Sequence, residues 1–200
     1  MKKGLLLWVS ILLISIGAQA QSFSHNTDMM WFARGGLNMA TFAGDGADGM
    51  DRKALYSFAY GFQKPIATLG AYWGMDIGLN SRGAKYEELK VAAHNINLSP
   101  ITVGWKYGIT DEIALDGHVG AFLSVDYTGK AKAYGESVSM GDWEDLGLDW
   151  NRFDVGMNIG FGIWYDRFNL DFTWQRGFLE VADEAAAYSS NLILRLGVAF

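Results

Sequence analysis

Eight times along this chain, apolar and polar residues alternate with a period of two over stretches close to ten residues, and no other feature narrows the possible folds as much. In residues 31–41, Trp31, Ala33, Leu37 and Met39 oppose Arg34, Gly36 and Asn38. Tyr56, Phe58, Tyr60 and Phe62 then oppose Ser57, Ala59, Gly61 and Gln63, and Trp73, Met75, Ile77 and Leu79 oppose Gly74, Asp76, Gly78 and Asn80. The same alternation returns at 101–107, 113–125, 153–163, 168–175 and 191–200. Each run predicts a strand with one apolar face. The sizes of the side chains say where that face points. Bulky apolar and aromatic residues lie on one side, with glycine, serine, asparagine and charge on the other. A soluble ligand-holding barrel has the opposite polarity, whereas a small barrel in lipid needs an apolar exterior and a compact polar interior.

The connections agree with that reading. Long polar segments are expected at 43–54, 83–94, 127–152 and 179–190, alternating with short links at 64–70, 108–112 and 165–167. Long loops at one end, tight turns at the other and an even strand count form the layout of an outer-membrane barrel. The fold class predicted is all-β, an eight-stranded antiparallel transmembrane β-barrel of outer-membrane type. Its final strand runs to Phe200, whose ring is expected to anchor at the membrane surface while the strand closes against the first.

The first twenty residues have their own logic. Lys2 and Lys3 precede an apolar run from Gly4 to Ile16, followed by Ala18-Gln19-Ala20, the three-part layout of a secretory signal peptide. Residues 1–20 are therefore expected to be removed, leaving an outer-membrane barrel domain over 21–200 with a net charge of −6 − 2 = −8. That charge argues against nucleic acid as a partner. The chain has no cysteine, so neither disulfides nor a lipid-bearing cysteine contribute. After residue 20 no segment approaches the length of a spanning helix, so the chain must cross a membrane as strands.

Several strand motifs resemble a known family. RGGLNMATFAG, GLNSRGAKY, INLSPITVGWKYGI, VGMNIGFGIWY and LILRLGVAF are similar to the successive strands of the outer-membrane beta-barrel domain family common in Bacteroidetes, often called PorT-like. The strongest pieces are Gly-Ala-Lys-Tyr at 83–86 and the proline-bearing strand, where Ser99 stands before Pro100 in place of the family's usual aliphatic residue. The resemblance implies a barrel fold. It implies no activity, because most members have none assigned and a link to type IX secretion belongs to one branch.

Parity places Arg34, Asp76, Arg82, Lys106, Asp116, His118, Asp154, Asp171 and Arg195 on the inward face. Buried charge is tolerated only when paired, so a lumen salt-bridge network that plugs the barrel is expected; a gated or ion-selective path is the alternative. His118, Asp116 and Ser124 are the raw material of an acyl-transfer site, but no flanking motif supports one. Asp45, Asp48 and Asp51 are spaced three apart rather than the two of calcium loops, which turn chemistry explains. In 127–152, acidic residues at 142, 144, 145 and 149 accompany Tyr134, Trp143 and Trp150, the candidate loop-interaction residues.

The functional expectation is a small outer-membrane protein with a plugged lumen and a structural or surface-interaction role exercised through its long outer loops. A narrow pore and a membrane-embedded lipid-modifying enzyme using His118 are the rivals. No cofactor is implied. The partners expected are outer-membrane lipid and, during biogenesis, the barrel-assembly machinery, with the folded protein a monomer.

Overall fold

A computed structural model of the chain describes residues 29–66, 70–134, 136–143, 149–182 and 185–200. The proposed leader at 1–20 and the acidic residues at 144 and 145 lie outside the described residues. Nine strands form one antiparallel sheet: β1 (Met30–Ala43), β2 (Lys53–Pro65), β3 (Ala71–Tyr86), β4 (Leu89–Gly108), β5 (Ile113–Ala133), β6 (Glu136–Ser139), β7 (Phe153–Tyr165), β8 (Phe168–Glu180) and β9 (Tyr188–Ala199). Eight of them close into a barrel. Each pairs with its neighbour around the ring, with β1 hydrogen-bonded to β9 and β4 to β5, while the short β6 continues the sheet from the outer end of β5. Closure removes the exposed edges that eight amphipathic strands would otherwise present.

The ring seals at the chain end as well. Phe200 and Trp31 exchange backbone hydrogen bonds of 3.0 and 3.3 Å, and the Phe200 ring stacks on Tyr60 at 6.2 Å.

The predicted loops differ in one respect. Residues 83–94 are not a loop: β3 and β4 remain paired from Ala71 to Tyr86, and only Glu87 and Glu88 make the turn. Likewise β5 continues to Ala133 and pairs with β6, so that the long connection after it begins as a hairpin. The sheet on this side therefore rises well beyond the apolar band. Pro100 is accommodated where the β4–β5 register shifts between Leu98 and Ile101, the kind of irregularity a residue without an N–H donor needs inside a sheet.

The exterior is apolar around the ring. Leu37, Phe58, Ile77, Ile101, Val119, Phe161, Phe172 and Leu196 are all exposed large hydrophobic residues. Asn38, Asn80, Arg82, Asn97, Asp116, Asp154, Asp171 and Asn191 are buried inside. Phe172 tests this orientation. It lies opposite Phe161 on one side and Leu194 on the other, midway along the apolar band of β8. Phe172→Arg should cost about 2 to 4 kcal/mol in a urea refolding titration into lipid vesicles, and Phe168→Arg at the rim about 0 to 1 kcal/mol. Equal costs at the two depths would contradict a lipid-facing exterior.

Candidate functional site

The interior is built on a size rule that strand register enforces. Several bulky inward side chains face an inward glycine directly across the ladder: Arg34 faces Gly197, Tyr72 faces Gly104, Asp116 faces Gly162, His118 faces Gly160 and Phe122 faces Gly156. A Cβ added at Gly160 would collide with the His118 imidazole, and one at Gly104 with the Tyr72 ring. Glycine here makes room for neighbouring side chains.

Asp171 is the hub of the middle of the lumen and is 0% exposed. Arg195, opposite it in register, donates through Nε and Nη2 to Oδ1 at 3.1 and 2.8 Å, and Thr173 Oγ1 donates to the same oxygen at 2.9 Å. Arg34 Nη1 and His118 Nε2 approach Oδ2 from β1 and β5 at 3.5 and 3.7 Å. Asp76 lines the same space as Arg34 and Arg195 without closing an ion pair.

Below this hub is a floor that parity could have located but the rule of small inward residues concealed. Trp164 is 0% exposed and donates its indole N–H to Asp116 Oδ2 at 3.0 Å, while the Tyr72 hydroxyl donates to Oδ1 at 2.8 Å. Lys106 lies with Nζ 4.0 Å from the Trp164 ring centroid, a cation–π contact. His118 Nδ1 is 3.5 Å from Asp116 Oδ1.

Toward the outer mouth, Arg82 takes over. Its Nε and Nη2 donate to Asp126 Oδ2 at 2.8 and 2.6 Å, its Nη1 lies 3.7 Å from Asp154 Oδ2, and its guanidinium sits 5.0 Å over the Trp150 ring. Asp126 is absent from the sequence-derived set although it continues the inward parity of β5 by one step. Trp150 donates to Asp126 Oδ2 at 2.8 Å and packs edge-on against Trp143 and Phe42.

These contacts reassign two of the three aromatic loop candidates. Trp143 is 1% exposed, buried with Met140 and Ala93, and Trp150 is half-buried beside it. Water would penalise such large apolar surfaces, and the mouth of the barrel supplies the cover. Tyr134, at the β5–β6 turn, is 88% exposed and remains a surface residue.

Ser124 and His118 do not meet. They stand six residues apart on one strand, roughly 20 Å at about 3.3 Å per residue, and the hydroxyl near His118 Nε2 is that of Thr173 at 3.5 Å. Among the described residues no group of three or more His, Cys, Asp or Glu is arranged to hold a metal ion, and of the Asp45, Asp48 and Asp51 series, Asp51 instead bridges to Lys85 through its backbone.

Inside the barrel is a cavity of about 30 Å³ lined by Arg34, Gln63, Asp76, His118, Asn158 and Gln175, among others. At roughly 10 to 15 Å³ per water on this measure, it has room for about two. Arg34 Nε and Nη2, Gln63 Oε1 and Asn158 Oδ1 lack protein partners and could be satisfied there.

Fold, exterior and interior together define a class: a closed, eight-stranded antiparallel β-barrel of outer-membrane type. No protein-family model matches the chain, and no curated protein matches it. Among solved structures, the attachment invasion locus protein Ail of Yersinia pestis is 16% identical, with 86% of this chain and 99% of that chain covered at a TM-score of 0.45. Neisserial surface protein A is 12% identical over 86% of this chain and 97% of its own, at a TM-score of 0.47. The outer membrane protein OprG of Pseudomonas aeruginosa is 11% identical over 88% and 98%, at 0.43.

Proposed function

We propose that this chain is an outer-membrane protein, exported by a cleaved leader over residues 1–20, whose barrel is a closed support and whose outward hairpins act at the cell surface. The observation that carries this reading is a contrast between the two ends of the design. The interior is given over to buried charge, much of it in ion pairs around Asp171 and Arg82, and to large side chains around a cavity of about 30 Å³, whereas β3, β4, β5 and β6 continue above the apolar band as paired sheet. Ordered structure beyond what closure requires supports a contact role, and Tyr134 at its tip is the most exposed aromatic among the described residues. The PorT-like barrel domain is the family reading that the strand motifs favour. A monomer inserted by the barrel-assembly machinery completes the proposal.

The pore alternative requires a continuous water path, and Trp164, Tyr72 and Lys106 occupy the inner end while Trp150 and Arg82 occupy the outer. Against the enzyme alternative, the hydroxyl beside His118 among the described residues is that of Thr173 and not of Ser124. In a planar bilayer the purified barrel should produce no resolved conductance steps, and shortening the turns around Glu87 and Tyr134 should remove surface binding while leaving the heat-dependent gel mobility of a folded barrel. Sustained open-channel current from the intact protein would replace this reading with the pore.

A further inference from the structure

The outward face of the raised hairpins changes chemistry abruptly above the lipid-facing band. At its base Tyr56 stacks on His94 at 5.0 Å and meets the Tyr127 hydroxyl at 3.1 Å, an aromatic belt of the sort found at a membrane interface. Beyond it, strand register places Lys85, Lys90, Lys132 and Ser137 opposite one another in one row across β3, β4, β5 and β6, with Lys130 and Ser139 paired in the row beneath. Lys53 joins them. Its Nζ lies 3.5 Å from the Val91 carbonyl oxygen, and burial together with the charges of Lys132, Lys85 and Lys90 pushes its ammonium below the ordinary lysine range.

Among the described residues, none of the five lysines has a carboxylate within ion-pair distance. Asp51 is bridged opposite Lys85 at one end of the row, and Glu87 and Glu88 form the adjoining turn, yet none closes an ion pair with it. Like charges directly opposite on neighbouring strands destabilise a sheet, and here two such pairs, Lys85 with Lys90 and Lys90 with Lys132, stand side by side. A bound anion would turn that repulsion into attraction, and the exposed hydroxyls of Thr128, Ser137 and Ser139 add donors around it.

Resting on the outer-membrane placement proposed above, we propose that the face formed by Lys53, Lys85, Lys90, Lys130 and Lys132 binds phosphate groups of the outer-leaflet lipid that surrounds the barrel. Height selects lipid over a soluble anion. Lys130 and Lys132 lie three and five residues beyond Tyr127 on β5, which at about 3.3 Å per residue and a tilt of roughly 45° is about 7 and 12 Å above the belt. The headgroup layer extends roughly 5 to 8 Å past the hydrocarbon, and lysine stems reach back toward it.

The test titrates the detergent-solubilised full chain with bisphosphorylated lipid A and with its dephosphorylated counterpart, counting bound lipid by native mass spectrometry. The phosphorylated lipid should bind, and K85Q/K90Q/K132Q should weaken that binding about 100-fold. K85R/K90R/K132R should retain it within about threefold because the charge is kept, and K64Q, at the opposite rim, should leave it unchanged. Heat-dependent gel mobility reports the fold of each variant. Wild-type binding must also weaken as salt rises, a result that needs no variant to fold. Equal binding of the dephosphorylated lipid, salt-independent binding, an unaffected glutamine variant that is folded, or preference for a soluble sulfated oligosaccharide over the lipid would each overturn the proposal. None of these outcomes bears on conductance or on the shortened-hairpin experiment, so the two readings fail separately.

Discussion

Replacing Asp171 with alanine is expected to cost about 3 to 5 kcal/mol of barrel stability, the usual penalty for removing one partner from a buried ion pair. The side chain is the shared acceptor for Arg195 and Thr173 and the nearest carboxylate to Arg34. Without it two guanidiniums from β1 and β9 would face each other in a space of about 30 Å³, with no carboxylate between them except Asp76, which forms no ion pair with either. Arg195→Met in the same background should recover part of the loss, because one uncompensated charge leaves with it. The measurement is a reversible urea titration in vesicles, read by gel mobility. A loss near that of an exposed surface substitution would mean that water, not Asp171, solvates the two arginines.

Trp164→Ala should be comparably severe, at about 3 to 5 kcal/mol. The ring is buried with Ala114 and Ala199, packs under Lys106, and is the N–H donor to Asp116. Its truncation removes apolar burial, the cation–π contact and a hydrogen bond to a buried carboxylate at once. Trp164→Phe separates these contributions: it keeps most of the packing but leaves Asp116 Oδ2 without its donor, an expected cost of about 1 to 3 kcal/mol. If the two variants were equally stable, the ring would not be the floor of the lumen. Neither residue lies on the lysine face or at the hairpin tips, so these tests concern the support and not the surface it carries.

Much of this architecture was legible in one dimension. Parity assigned every strand its two faces, although Phe122, Trp164 and Ile193 are large apolar residues that are inward and buried. Arg34, Asp76, His118 and Arg195 line the internal cavity, and Arg82, Asp116, Asp154 and Asp171 are buried, because a period of two leaves a side chain only two directions to point. What hydrophobic alternation could not show was where strands stop. Above the membrane neither face of a strand meets lipid, so the apolar pattern fades while the backbone pairing continues. Residues 83–94 therefore looked like a loop although their register is unbroken. The turn itself carried no warning, since Glu87-Glu88 has none of the glycine or asparagine that usually marks a tight hairpin.

Partnership was another matter. Asp171 and Arg195 are opposite on adjacent strands, but Arg34 and His118 reach Asp171 across the lumen, and Arg82 on β3 finds Asp126 and Asp154 on β5 and β7. Which charges meet across a barrel depends on strand tilt and on the stagger accumulated around the ring, including the shifts near Gly74 and Leu98. The same closure buried Trp143 and Trp150 in the outer mouth and brought Lys85, Lys90 and Lys132 into one row. The alternation of side chains along each strand determined by itself that this chain forms a barrel with lipid outside and charge inside. Only the closed tertiary structure decided how those charges pair, because pairing is set by the alignment of strands distant in sequence, and no residue carries that information alone.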